Sequence, residues 1–329
     1  MNFYLFFISL AASTISANLL VFASGDDAPE AMLNFFLGGI AGWIIISLLK
    51  VRKIKKLIIL INLAIISCFL FLLYRPSIEV DKTHLLFTYA LPSFLLIISA
   101  ALRITIVPIV LSGKSLASAS RIIPAVILIS LPLSALLLSA ELISLSAKII
   151  ILQIISLITF SAIQLNTQPD KNITGTIDNI RMDNMHDRLG IATLGILLFS
   201  SIGMTLSVSS NISSEELGYE AIIMTYFFLM FIGVFIPFGG LFKNQLVFIM
   251  FLSSPLAILL TIQSMNLAFY SELVLLFLSA IISGMLIPLV QDRIISIEEV
   301  NLRKIISSDY SLIRFTIPAV SGYLMKTVL

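Results

Sequence analysis

The sequence predicts an all-α membrane protein, a polytopic helical bundle of about 11 transmembrane helices in two parallel pseudo-repeat halves. Three observations predict it. Of 329 residues, 59% are hydrophobic and only 12% charged, whereas an ordinary soluble domain has about a quarter of its residues charged. Apolar runs close to the roughly 20 residues needed to cross a bilayer as helix recur along the whole chain. Finally, Lys50, Arg52, Lys53, Lys55 and Lys56 crowd between two such runs, and a cluster of that density belongs on the cytoplasmic side.

Taken in order, the runs fall near 3–23, 32–49, 57–74, 85–111, 122–140, 146–165, 190–210, 221–242, 246–264, 267–290 and 312–328. The first has Val21-Phe22-Ala23 near its end, like a cleavage site, but no Lys or Arg at its start. A signal peptide wants that charge, so a retained helix is expected. The second run carries Gly38 and Gly42 four apart, the small-xxx-small spacing that lets membrane helices approach closely.

Alternation from the basic cluster places the N-terminus in the cytoplasm. Fourteen Lys and Arg then fall inside, against four outside (Arg75, Lys82, Lys148 and Lys326). That is the asymmetry the positive-inside rule requires. The expected localisation is a multi-pass protein of the cell inner membrane. The lipid bilayer is therefore an expected partner, and the net charge of +2 offers nothing to nucleic acid.

Residues 166–189 mix Asn, Asp, Gly and both charge signs without helical periodicity and read as a cytoplasmic linker. It divides the chain into an N-terminal six-helix bundle (1–165) and a C-terminal five-helix bundle (190–329). Two local similarities share nearly one offset across that division. Arg121-Ile122-Ile123-Pro124-Ala125-Val126 opens the fifth run, and Arg314-Phe315-Thr316-Ile317-Pro318-Ala319-Val320 the eleventh. The second run ends in Lys50 and the eighth is followed by Lys243, each with glycines upstream. A parallel duplication is the expected cause.

With these features the chain resembles the major facilitator superfamily. Gly38-Gly39-Ile40-Ala41-Gly42 and Lys50–Lys56 look like the ends of that family's loop motif between helices two and three, without its Asp. Ile317-Pro318-Ala319-Val320-Ser321-Gly322-Tyr323-Leu324 looks like its eleventh-helix signature, and Gly284-Met285-Leu286-Ile287-Pro288 like the end of its tenth. The resemblance implies a divergent member with no counterpart to the twelfth helix before Leu329. It further implies a secondary-active transporter of a small solute, working by alternating access with protons as a possible coupling ion. Sparse charge and abundant Phe, Leu and Ile suit an amphiphilic solute, with efflux the expected direction. A lipid-linked saccharide flippase and a non-transporting assembly or immunity protein are the alternatives.

No enzyme is expected, since no nucleophile–base pair or paired carboxylates occur and the polar loops are short. Ser112-Gly113-Lys114-Ser115 resembles the tail of a phosphate loop but has Pro108 where that motif needs Gly. One cysteine, Cys68, and two distant histidines, His84 and His186, predict no metal site and no cofactor.

Polar side chains at membrane depth are the remaining candidates, because they are costly there. Arg103 lies within the fourth run, either on a cavity attracting an anionic or carbonyl substrate or snorkelling to headgroups. Glu272, one turn into the tenth run, is either a protonatable carboxylate or an interfacial one. Asn18 in the first run and Ser201 and Thr205 in the seventh are candidate cavity residues, since the resemblance puts those helices around a cavity. Lys50, Arg52, Lys53, Lys55 and Lys56 are expected to form a cytoplasmic gate loop.

Overall fold

A bilayer leaves a backbone few ways to satisfy its N–H and C=O groups, and this chain takes the helical one. The computed structural model describes residues 3–23, 28–49, 51–74, 90–110, 114–140, 143–163, 182–212, 217–236, 245–265, 267–295, 297 and 300–328. They form α1 (Phe3–Ala23), α2 (Ala28–Leu48), α3 (Val51–Tyr74), α4 (Leu91–Val110), α5 (Lys114–Ser139), α6 (Leu145–Ala162), α7 (Met182–Ile212), α8 (Tyr219–Phe235), α9 (Gln245–Ser264), α10 (Phe269–Ile295) and α11 (Val300–Val328). Among the described residues there is no strand. Among the described residues five helices are long and apolar enough to cross a membrane, within α3, α5, α6, α7 and α10, and apolar stretches of 10–17 residues lie in α1, α2, α4, α8 and α9.

Helix ends overrun the apolar runs wherever a polar segment can continue the helix in water. The basic cluster is one such place: Arg52–Lys56 forms the first turn of α3 rather than a loop. The stretch expected as linker is another. Residues 164–181 lie outside the described residues, while α7 begins at Met182, inside that stretch. Likewise α11 begins at Val300, well before the apolar run at 312.

Packing repeats from one half to the other. In the first half α1 packs on α4 and α5, α2 on α4, and α3 on α4. In the second, α7 packs on α10 and α11, α8 on α10, and α9 on α10. Each contact of the first set becomes one of the second on adding six to both helix numbers. The halves meet through α2–α11, α5–α8, α4–α11 and α5–α10, and those four exchange in pairs under the same shift. This is the packing expected of parallel repeats.

Small residues set the closest crossings. A Cβ on Gly38 would stand 2.6 Å from Ile97 Cγ2, and one on Gly42 3.0 Å from Ala101 Cβ, so this glycine pair serves the α2–α4 contact. In the second half Gly233 of α8 and Gly284 of α10 bring backbone against backbone. Two buried apolar cores result, one built mainly from α1–α6 and the other from α7–α11. Ala125 and Leu128 of α5 join the second core, and Phe315 of α11 packs on the first.

Candidate functional site

The deepest charge in the first bundle is Arg103 of α4, with 0% of its surface exposed. Its Nε donates to Ser9 Oγ at 3.1 Å, and Nη2 donates to Asn62 Oδ1 at 3.1 Å and Ser156 Oγ at 2.9 Å. Nη1 donates to Ser13 Oγ at 3.4 Å, to the Ser99 carbonyl at 3.2 Å and to Ser99 Oγ. The Phe160 ring covers one face, its centroid 4.9 Å from Cζ. A guanidinium offers five N–H donors in a fixed fork, and here α1, α3, α4 and α6 supply neutral acceptors to it. The acceptors also bind one another, as in the Ser9–Ser156 hydroxyl pair at 3.2 Å and the bond from Ser99 Oγ to Asn62 Oδ1 at 3.1 Å.

Arg103 therefore neither lines the seam between the halves nor snorkels to a headgroup. It fastens four helices of one bundle from inside. Hydrogen bonds to a charged group are worth about 1.5–3 kcal/mol each. Several are needed here, since removing a guanidinium from water costs several kcal/mol.

The other candidates fall elsewhere. Asn18 of α1 donates to Ser130 Oγ of α5 at 3.0 Å and joins those two helices. Ser201 and Thr205 are together on one buried face of α7, where Ser201 Oγ donates to the Leu198 carbonyl at 2.6 Å and Thr205 Oγ1 to that of Ser201 at 2.9 Å. The Tyr226 hydroxyl of α8 sits among Thr205, Ser279 and Ser283 without closing a hydrogen bond of ordinary geometry. Ser201 and Thr205 on α7, with Ser279 and Ser283 on α10, repeat the four-residue spacings of Ser9 and Ser13 on α1 and of Ser99 and Arg103 on α4. The second bundle thus holds a hydroxyl cluster on α7 and α10, which correspond to α1 and α4, two of the four helices around Arg103. Glu272 is half-buried in the first turn of α10, where a carboxylate is favoured by the helix dipole.

Of the basic cluster, Lys50 lies outside the described residues, as does the side chain of Arg52. Lys53 and Lys56 are exposed. Lys55 Nζ donates to the Ser161 carbonyl at 3.3 Å and to that of Ile163, closing the C-terminus of α6 within its own half.

The contact between halves at this end comes from residues that the sequence did not single out. Asp309 of α11 accepts from Trp43 Nε1 of α2 at 3.1 Å through Oδ1, and from Arg188 Nε of α7 at 2.5 Å through Oδ2. Lys304 Nζ donates to the Leu49 carbonyl at 3.3 Å. Farther along, a Cβ on Gly39 would meet Phe315 Cβ at 2.7 Å. These pairs run antiparallel over ten residues of α2, about 15 Å at 1.5 Å per residue, or half of a hydrocarbon core about 30 Å thick. Asp309 thus ties the first half to the second at the basic end. Its signal in the sequence was an acid flanked by Arg303, Lys304 and Arg314, but a partner 266 residues away is not readable from spacing.

A bacterial homologue of the iron transporter ferroportin, solved in an outward-facing state, matches with a TM-score of 0.64 at 13% identity. The match covers 98% of this chain and 91% of that one. The two chains share one fold. No protein-family model matches the sequence, and no curated protein matches it. Among the described residues no three His, Cys, Asp or Glu side chains gather where they could hold a metal ion.

Proposed function

We propose that the protein is a secondary-active transporter that moves a small amphiphilic solute by alternating access. In this reading 1–165 and 190–329 are its two rocking units, and it is a divergent member of the major facilitator superfamily. The observation carrying the reading is the packing scheme, in which four helix pairs within one half correspond to four in the other and the halves meet through exchangeable helix pairs. Two bundles related in that way can rock about a site between them. The polar contacts of Asp309 and Lys304 close the basic end, taken as cytoplasmic from the charge asymmetry. That agrees with the outward-facing state of the ferroportin homologue.

Such contacts suit a gate. The ion pair is partly exposed, with side chains 42% and 17% accessible, and exposed pairs are worth about 1 kcal/mol or less. They hold one state without locking it. Efflux and proton coupling, expected from the sequence, belong to the same reading. The flippase reading needs several cations on a central cavity, and with Arg103 enclosed in one bundle it loses its principal candidate.

The test is a pair of spin labels at Lys53 and Asp292, exposed at the basic ends of α3 and α10, on a Cys68→Ser background. Reconstituted protein should give two distance populations whose ratio responds to pH or solute. A single population under every condition would contradict transport and favour the non-transporting alternative.

A further inference from the structure

Arg314 of α11 is the opposite of Arg103. Its guanidinium is not enclosed by acceptors. Its Cζ stands 5.9 Å from the centroid of the Phe199 ring on α7. Phe199 comes eleven residues after Arg188 in the α7 span, about 16 Å along the helix axis, hence near the middle of a core about 30 Å thick. A headgroup is out of reach from there. Among the described residues no carboxylate forms an ion pair with Arg314. Its Nη1 is buried without a hydrogen-bond partner, although the side chain keeps part of its surface open.

The surroundings share that deficit. Ser307 is 4% exposed and Tyr310 5% exposed, and neither hydroxyl has a partner. Ser307, Ser311 and Arg314 follow one another at four and three residues, which places them on one face of the helix. Helical side chains lean toward the N-terminus, so Arg314 reaches back over the turn that holds Tyr310 and Ser311. The Tyr310 ring lies 5.5 Å from the same Phe199 ring. On the adjacent face Phe315 packs against Gly39 of α2, so this turn borders the seam between the halves.

Unpartnered donors thus follow one another along about 10 Å of α11, from Ser307 through Tyr310 to Arg314: two hydroxyls and a guanidinium edge, beside an aromatic wall. An unpaired cation there is expensive, and a planar fork is matched best by a carboxylate or phosphate. We infer that Arg314, Ser307 and Tyr310 bind the anionic head of the solute, with Phe199 against its apolar part. The inference rests on the transporter reading and deepens it, by giving the amphiphilic solute a negative charge.

Equilibrium binding to purified protein in phosphatidylcholine nanodiscs tests this, with benzoate, decanoate and hexyl phosphate as probes and benzamide and decanamide as neutral controls. The wild type should bind at least one anion saturably, and the amides at least about tenfold more weakly. Arg314→Gln should weaken the anion about 10- to 100-fold, the range of charged hydrogen bonds. Its unfolding midpoint should stay unchanged or rise, since an unpaired cation is removed. Arg314→Lys, which keeps the charge without the fork, should fall between. Ser307→Ala gives a milder loss and serves should Arg314→Gln fail to fold. Failure of all three anions to bind, or equal binding by wild type and Arg314→Gln, would overturn the assignment. So would loss of binding in phosphatidylglycerol nanodiscs, since the occupant would then be a lipid headgroup. Two distance populations at Lys53 and Asp292 with no anion binding would overturn this site alone; a single population would overturn the transporter reading beneath it.

Discussion

Arg103 and Arg314 show how one residue type meets different surroundings, enclosed by acceptors in one case and not in the other. Around Arg103 the serines and Asn62 satisfy the guanidinium and, through it, each other. Replacing it with Gln should therefore cost stability, on the order of 2–3 kcal/mol, read as a lower unfolding midpoint in detergent. Lys should rescue poorly, having three donors instead of five. Unchanged stability in both variants would show that the network does not hold the bundle. The sequence revealed that Arg103 is deep, because eighteen apolar or weakly polar residues precede it from Leu85. It did not reveal the direction in which Arg103 points. A helix as apolar on all faces as α4 carries little rotational signal, so enclosure within one bundle and exposure to a cavity read alike.

At the scale of elements, most of the chain was legible and the ends were not. Apolar runs of bilayer length locate helices, and all eleven expected runs have a helix. Their polar extensions are set by backbone propensity and tertiary contacts, which hydropathy does not report. Two such ends carry cationic caps. Lys148 Nζ donates to the Leu137 carbonyl at 2.6 Å and to that of Ala140 at 2.5 Å, closing α5, as Lys55 closes α6. Lys148→Met should cost about 1 kcal/mol of stability, in line with the charge–dipole term at a helix C-terminus. Crossings are stricter. At Gly233 and Gly284 a Cβ would run into the backbone of the facing helix, which cannot turn aside as a side chain can. Gly284→Ala should thus reduce folded yield more than Gly38→Ala, whose Cβ meets the Ile97 side chain at Cγ2 and Cβ rather than backbone. Equal yields would mean that α8 and α10 are free to separate.

Over the whole molecule the duplication was visible through the Ile-Pro-Ala-Val match, and α5 and α11 do take corresponding places. The contact between halves was not visible, because it joins α2, α7 and α11 through single polar atoms. The basic cluster lies at the same end as Asp309, the acid tying the halves there. The proposed orientation rests on the charge count: a reporter within 166–189 should be cytoplasmic and one after Leu329 external. Both on one side would contradict the proposed topology.

The proposed cycle requires the Asp309 contacts to break as the basic end opens. Losing bonds worth about 1–2 kcal/mol in total should shift a two-state ratio about 5- to 30-fold. The direct measurement is the Lys53–Asp292 spin-label distance in the wild type and in Asp309→Asn. The wild type should favour the shorter distance, and Asp309→Asn should move most of the population to the longer one. The same distribution in both proteins would contradict a gate at Asp309, and with it the rocking of two halves about this contact.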